Sequence, residues 1–402
     1  MIHRTANRAI LGAPVQASQK LTDVLISAVE NRSFTDDRTF SEVKRLSTAG
    51  LEGPELLRRV AGRLRWSVPF EAFCASTVDP ATNLMTHGIA EGIGEDSGDE
   101  ANIFLDQIYF EEDLPQFTKM AREGRQVALL SESTGGELDR SLRYRHLLRP
   151  FGFGYELGSV FVDGSAWGGM DLIRTQDDPD FDAREVRLVR KAVPHITAGL
   201  RSAALRRAAT VEPTAEDAPG VLNLDRRGHV ISHTPSAERL LAELQDLDPR
   251  WRKGVLPMSV RSVANAVRRA LAPGTDRDEN LVPRVRVRAR SGRWLTLHAS
   301  LTEPGGTAGG ASETVVVAEP ARPLEVAWLN AAAHGLTPRE EEVVRLVLRG
   351  SSTREISRAL FISEYTVQRH LQNVFEKMGV KSRTELLKRL FFEDLLPSTF
   401  GR

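Results

Sequence analysis

From Gly335 to Leu390 the chain is punctuated as four short helices, and few folds accept that punctuation. Gly335-Leu-Thr-Pro-Arg-Glu-Glu-Glu opens the first helix. Thr337 suits the N-cap, Pro338 suits the first helical position, and three Glu lie in the first turn, where the helix dipole favours negative charge. Val343, Leu346 and Val347 form an apolar stripe, and Gly350 supplies the stop. Ser352 with Glu355 reads as a capping box for a second helix, whose Ile356 and Leu360 face inward. Ile362 ends a tight turn and Ser363 caps a third helix. Val367, Leu371, Val374 and Met378 recur there at helical spacing, and Gly379 ends it. Ser382 with Glu385 predicts another capping box, followed by Leu386, Leu387, Leu390 and Phe391 on a fourth helix.

Burying that third-helix stripe obliges Gln368, Arg369, Gln372 and Glu376 to point away from the core. Two short helices joined by a tight turn, the second polar on its free face, make a helix-turn-helix. Gln and Arg side chains make bidentate contacts to base edges. Residues 336–390 carry eleven Lys and Arg against seven Asp and Glu, a net of +4, on a chain whose 54 basic and 54 acidic residues cancel. A positive module on a compensating acidic body is the charge asymmetry expected of a DNA-binding appendage.

The segment resembles the DNA-binding domain of LuxR-type (GerE-like) transcriptional regulators. The matching residues are Leu336-Thr-Pro-Arg-Glu-Glu-Glu-Val343, Gly350, Glu355-Ile356, Leu360-Phe-Ile-Ser363, Thr366-Val367, His370, Lys377-Met-Gly-Val380 and Ser382-Arg383. The resemblance implies base reading by Gln368, Arg369 and Gln372. It implies backbone anchoring by Thr366, Lys377 and Arg383, and Lys381 is placed to join them. The implied partner is double-stranded promoter DNA, bound by a homodimer. Two positions depart from the family pattern: Ser357 stands where Ala is usual, and Tyr365 stands where a small or basic residue is common.

A chain of 402 residues is too long for one ordinary domain. Its 41% hydrophobic and 27% charged residues fit soluble globular units. The single cysteine, Cys74, excludes an intrachain disulfide and a cysteine metal cluster. No signal peptide and no apolar run of membrane-spanning length is present, so a cytoplasmic protein is expected, bacterial in the flavour of its composition. Polar, proline-bearing residues 211–219 read as a linker, and Ala318-Glu-Pro-Ala-Arg-Pro323 reads as a second boundary.

The expected architecture is therefore a multidomain α+β chain. A GAF-like domain over 1–210 and a PAS-like domain over 220–320 act as mixed α/β sensors. An all-α four-helix helix-turn-helix domain over 330–396 follows. In the first part, Phe73–Val78 and Leu84–Ile89 pair around Asp79-Pro80, Gln126–Leu130 is a buried strand, and Tyr155–Val162 pairs with Trp167–Ile173 around Asp163-Gly164. A helix from Ala183 to about Ala209, kinked at Pro194, closes it. This order resembles a GAF domain. In the second part, strands Gly220–Asp225 and His229–His233 precede helices at Pro235–Leu244 and Val260–Leu271. A hairpin, Arg284–Arg288 with Trp294–Leu301, and a last strand, Glu313–Ala318, follow. This order resembles a PAS domain, carried by the Leu224-Asp-Arg-Arg-Gly228 turn and the Thr234-Pro-Ser-Ala-Glu238 helix start. The Gly-rich stretch Pro304–Gly310 reads as a loose loop.

Phe73, Tyr109, Tyr155 and Trp167 are candidates to line a pocket for a small-molecule effector, and serve equally well as core. No cofactor motif is identifiable. His87, His146 and His195 have no carboxylates at metal spacing, so no metal site is expected. There is no Walker A loop and no receiver-type phosphoacceptor pattern. No nucleophile, acid pair or metal set assembles into an active site, so the chain is not read as an enzyme. Two alternatives remain open: a signalling adaptor whose helix-turn-helix contacts protein, and an enzyme within the GAF-like half.

Overall fold

The computed structural model describes residues 34–93, 120, 123–205, 218–270, 283–302 and 313–390. Tyr109, the 211–217 stretch, the Pro304–Gly310 loop and Phe391 lie outside them.

Two five-stranded antiparallel sheets dominate the first 320 residues. The first contains β1 (Ala72–Val78), β2 (Met85–Glu91), β3 (Val127–Leu129), β4 (Phe153–Asp163) and β5 (Ser165–Thr175), in the order β2-β1-β5-β4-β3. The second contains β6 (Gly220–Leu224), β7 (Val230–His233), β8 (Arg284–Arg288), β9 (Trp294–Leu301) and β10 (Thr314–Pro320), in the order β7-β6-β10-β9-β8. Counted within each sheet, the two orders are the same. The topology agrees with the mixed α/β elements expected of two related sensor folds.

Alternation along the strands sets which face each sheet buries. In the first sheet Phe73, Ala75, Leu157, Phe161, Met170 and Leu172 meet one set of helices. Those helices are α1 (residues 34–47), α2 (Gly53–Leu64) and α3 (Ala183–Leu205). Leu56, Leu57 and Val60 of α2 and Leu188, Val189, Val193 and Ile196 of α3 complete this core. The α3 helix runs unbroken through Pro194. The opposite face carries a smaller apolar group, Ala72, Cys74, Leu130, Leu148, Phe153 and Ile173. Beside it Arg143 donates to Glu156 at 2.7 Å and to Asp171 at 3.1 Å.

The second sheet packs Val285, Val287, Leu295, Leu297 and Val316 against α4 (Pro235–Ala242) and α5 (Met258–Ala270), through Leu240, Leu241, Val260, Val263 and Val267. Thr234 caps α4 by accepting from the Ala237 N–H, in keeping with the expected helix start.

Five helices follow: α6 (Pro323–Ala333), α7 (Pro338–Leu348), α8 (Thr353–Leu360), α9 (Glu364–Met378) and α10 (Arg383–Lys388). The last four are those expected from sequence. Helix α6 is additional, and it begins where a boundary was expected. Only Ala321 and Arg322 separate it from β10. Its apolar residues form no single stripe, and such a helix is buried on more than one side. Ala327 and Ala331 enter the core of the terminal helices, whereas Leu329, Ala332 and Ala333 enter the core of the first sheet. One helix thus belongs to two cores.

The first and second sheets are joined by a buried ion pair. Asp79, at the expected β1–β2 turn, accepts from the Arg286 backbone N–H and from its guanidinium at 2.8–2.9 Å. Asp79 is 1% and Arg286 7% exposed. Both Asp79 oxygens and the Arg286 N–H, Nε and Nη2 are engaged, and such multiple bonding is what lets a buried pair repay its desolvation.

Candidate DNA-binding interface

The terminal helices are built as their caps direct. Thr337 and Glu340 form a reciprocal capping box on α7, and Ser352 and Glu355 form another on α8. Ser363 accepts from the Thr366 N–H to start α9, and Gly379 ends it at φ 63°, the left-handed conformation that glycine adopts without strain. The α10 box is only half made. Ser382 accepts from the Glu385 N–H, but the Glu385 carboxylate takes the Lys381 N–H instead. On α7, Val343, Val344 and Val347 are fully buried, and Leu346 packs at the margin.

The turn between α8 and α9 has two local reasons for its shape. Phe361 adopts a left-handed conformation, φ 53°, which reverses the chain after α8. The Ser357 hydroxyl donates to the Ile362 carbonyl at 2.5 Å. The departure from the usual alanine therefore adds a tie across the turn. Arg339 of α7 donates to the Leu360 carbonyl at 2.6 Å and fixes the end of α8 from outside.

Ile356, Val367, Leu371, Val374 and Met378 are buried together with Leu336 and the α7 valines. That fixes the rotation of α9 about its axis. Gln368, Arg369 and Gln372 consequently lie exposed on the outer face, and their side chains bond to none of the described residues. Thr366 is half-buried at the start of the same helix, its hydroxyl 2.8 Å from Ser363 Oγ. Lys381 is exposed beyond its end.

Lys377 and Arg383 are placed differently. Lys377 Nζ donates to Glu340 Oε2 at 2.7 Å and to the Gly335 carbonyl at 3.1 Å, pinning the last turn of α9 to the start of α7. Burial by itself would raise the Glu340 carboxyl, but the bonds from Lys377 and the Thr337 backbone outweigh it and hold the group below its usual range. Arg383 donates to the Ser351 carbonyl at 2.5 Å, tying α10 to the loop before α8. Sequence spacing carries no trace of either bond, because both partners are more than 30 residues away. Two large apolar side chains flank the turn: Phe361 is 95% and Tyr365 76% exposed.

Residues 334–390 match the family described as bacterial regulatory proteins, luxR family. The spore germination protein GerE of Bacillus subtilis is 46% identical over 55 residues, covering 14% of this chain and 74% of that protein. The chain belongs to the LuxR family. The CsgBAC operon transcriptional regulatory protein of Escherichia coli is 52% identical over 50 residues, 12% of this chain and 23% of that protein. Matched proteins of Mycobacterium tuberculosis and Mycobacterium bovis are 50% identical over 52 residues, and the chain spans only 6% of their length. A GAF domain/HD domain protein of Geobacter sulfurreducens, solved by crystallography, aligns with 41% of this chain and 98% of its own at 18% identity and a TM-score of 0.29. Family and geometry agree that α7–α10 form a LuxR-type DNA-binding helix-turn-helix, the output module of transcriptional regulators.

The LuxR-type module is not free of the sheets before it. At the β4–β5 hairpin the chain reverses through Gly164 at φ 70°, and any Cβ there would strike the Leu336 carbonyl oxygen. Next to it Ser165 Oγ donates to Glu341 Oε1 at 2.6 Å. Burial raises the Glu341 carboxyl, with Ser165 and Arg345 opposing. Arg201 of α3 pairs with Asp163 beside the same hairpin.

The candidate pocket residues separate. Phe73 is core on the helical side of the first sheet, and Tyr155 packs half-buried at the edge of that same core. Trp167 belongs to that core and also lines a cavity. Among the described residues no group of three His, Cys, Asp or Glu is arranged to hold a metal, and no helix is long and apolar enough to cross a membrane.

Proposed function

We propose that this protein is a sequence-specific transcription regulator that binds promoter DNA as a cytoplasmic homodimer through α8 and α9, with binding adjusted by a signal read in its two-sheet N-terminal part. The observation that carries the reading is the outer face of α9. Gln368, Arg369 and Gln372 stand there exposed and unengaged, on a helix whose rotation the core fixes. They take the base-reading role, and Thr366 and Lys381 take phosphate contacts. Lys377 and Arg383 already hold internal bonds, and take phosphate through the donors those bonds leave over.

The sensor units are taken as residues 1–210 and 220–320, joined by 211–219, with the output unit over 330–396. Regulation follows from how these parts touch. A ligand that shifts the β4–β5 hairpin shifts the Ser165–Glu341 contact and the seat of Leu336, and so changes the freedom of the DNA-binding helices. Its coupling equals the difference in ligand affinity between the two arrangements.

The test is selection of sites from random duplex DNA by the full chain at two salt concentrations. A two-fold symmetric motif, lost in Arg369→Ala, supports the reading. Salt-sensitive retention without a motif, unchanged by Arg369→Ala, overturns base recognition by this face.

A further inference from the structure

A cavity of about 70 Å³ lies where three parts of the molecule meet. The first sheet supplies Thr77, His87 and Trp167, α3 supplies Leu200 and Ala204, and the second sheet supplies Arg286 and Arg288. Leu329 of α6 also lines it. One water needs roughly 10–15 Å³ of such space, so the cavity takes about five water-sized spheres or one small molecule.

Its polar lining is unusual. His87 Nε2 and Trp167 Nε1 are both buried and have no hydrogen-bond partner among the described residues. The residues themselves are 5% and 3% exposed. Both flank Thr77: His87 is its register partner on β2, and Trp167 adjoins Gly168, its register partner on β5. Their backbones stand two strand spacings apart, about 10 Å, and both residues line the cavity. Buried polar groups are almost always bonded, and two unbonded ones lining one cavity point to an occupant.

The chemistry narrows the occupant. The Trp167 N–H only donates, so the occupant presents an acceptor. His87 Nδ1 lies 3.3 Å from Thr77 Oγ1, which itself lies 2.5 Å from Thr86 Oγ1. Either hydroxyl can be the donor in that pair, so the imidazole tautomer can follow the occupant. Burial lowers the His87 pKa, with Asp246 and Glu52 opposing, and keeps the ring neutral. The guanidinium charges of the lining are matched: Arg286 is held by Asp79, and Arg288 sits 3.7 Å from Glu52. Neither therefore calls for a negative charge on a ligand.

We infer that this junction is a binding site for a small uncharged molecule bearing a carboxamide or an equivalent donor–acceptor pair, held between the Trp167 N–H and His87 Nε2. The wall includes residues of both sheets and of α6, so occupancy fastens the sheets to the helix that carries the DNA-binding module. The inference deepens the proposed regulation and rests on it only for the effect on DNA.

Full-length protein labelled with 5-fluorotryptophan and titrated with acetamide and propionamide tests it. The Trp167 resonance is assigned by its loss in Trp167→Phe. A saturable shift of that resonance is expected, weakened roughly fivefold or more in His87→Leu. The shift returns toward the native affinity in His87→Gln, which keeps a donor and an acceptor. The other four tryptophan resonances report that each variant is folded. No shift up to the solubility limit, or a linear shift identical in His87→Leu, means that the cavity holds solvent only and overturns the inference. Site selection on DNA is a separate measurement, so its failure breaks the functional reading without touching this one.

Discussion

The Asp79–Arg286 pair and the outer face of α9 are both polar, yet they stand at opposite ends of one scale. The first is sealed between two sheets, with its atoms bonded to each other across 207 residues of sequence. The second is fully open, with Gln368, Arg369 and Gln372 bonded to none of the described residues. The difference teaches that residue type does not assign a role; prior commitment does. Lys377 makes the point within α9 itself: it has the chemistry of a phosphate anchor and spends it on Glu340.

The strongest way to break the comparison is Asp79→Ala. It leaves the Arg286 guanidinium buried without its carboxylate, and a loss of about 3–5 kcal/mol in urea unfolding is expected. If the cost is near zero, the junction is not holding the sheets.

Next comes pH. Burial, helped by Asp171 and opposed by Arg143, pushes Glu156 up to about 7 from an ordinary value of 4.5. Because the folded state holds this proton more tightly, its contribution is complete below the unfolded pKa. It is lost as pH rises from about 4.5 to about 7, with a slope of at most about 1.4 kcal/mol per pH unit. Glu156→Gln should flatten that part of the stability profile, and an unchanged slope would show that another group titrates there.

At the open end of the scale, Arg369→Ala should cost about 1–3 kcal/mol of operator affinity while leaving the melting temperature in place. Loss of both together would mean that Arg369 is structural. The smallest effect is expected between the two extremes. Ser165→Ala removes one partly buried hydrogen bond to Glu341, worth about 0.5–1.5 kcal/mol, and should alter operator affinity of the full chain by less than Arg369→Ala does. A competition binding assay against the unaltered chain resolves that ranking.

Local chemistry explains what was legible beforehand. Thr337, Ser352, Ser363 and Gly379 act within four residues of themselves, so the helix ends and the orientation of α9 follow from short strings. The hairpin at Asp163-Gly164 and the alternation of β8 and β9 are equally local. What was hidden is non-local or unpatterned. Helix α6 shows no apolar period because two cores claim its sides, so its start looked like a boundary. The partners of Lys377, Arg383 and Asp79 are contacts between distant segments, and no spacing rule encodes them. Trp167 was legible as an aromatic near a pocket, but its place in a junction needed both sheets.

Helix α6 also dictates where this chain tolerates the scissors. An excision beginning at Leu336, after the proline-bearing boundary and at the first family-like residue, strips Ala327 and Ala331 from the core of the DNA-binding fragment. A cut before Pro323 keeps them but bares Leu329, Ala332 and Ala333, an oily flank that the first sheet normally covers. Grafting this output onto a foreign sensor therefore calls for recolouring that flank with polar side chains, or for a recipient that brings its own cover.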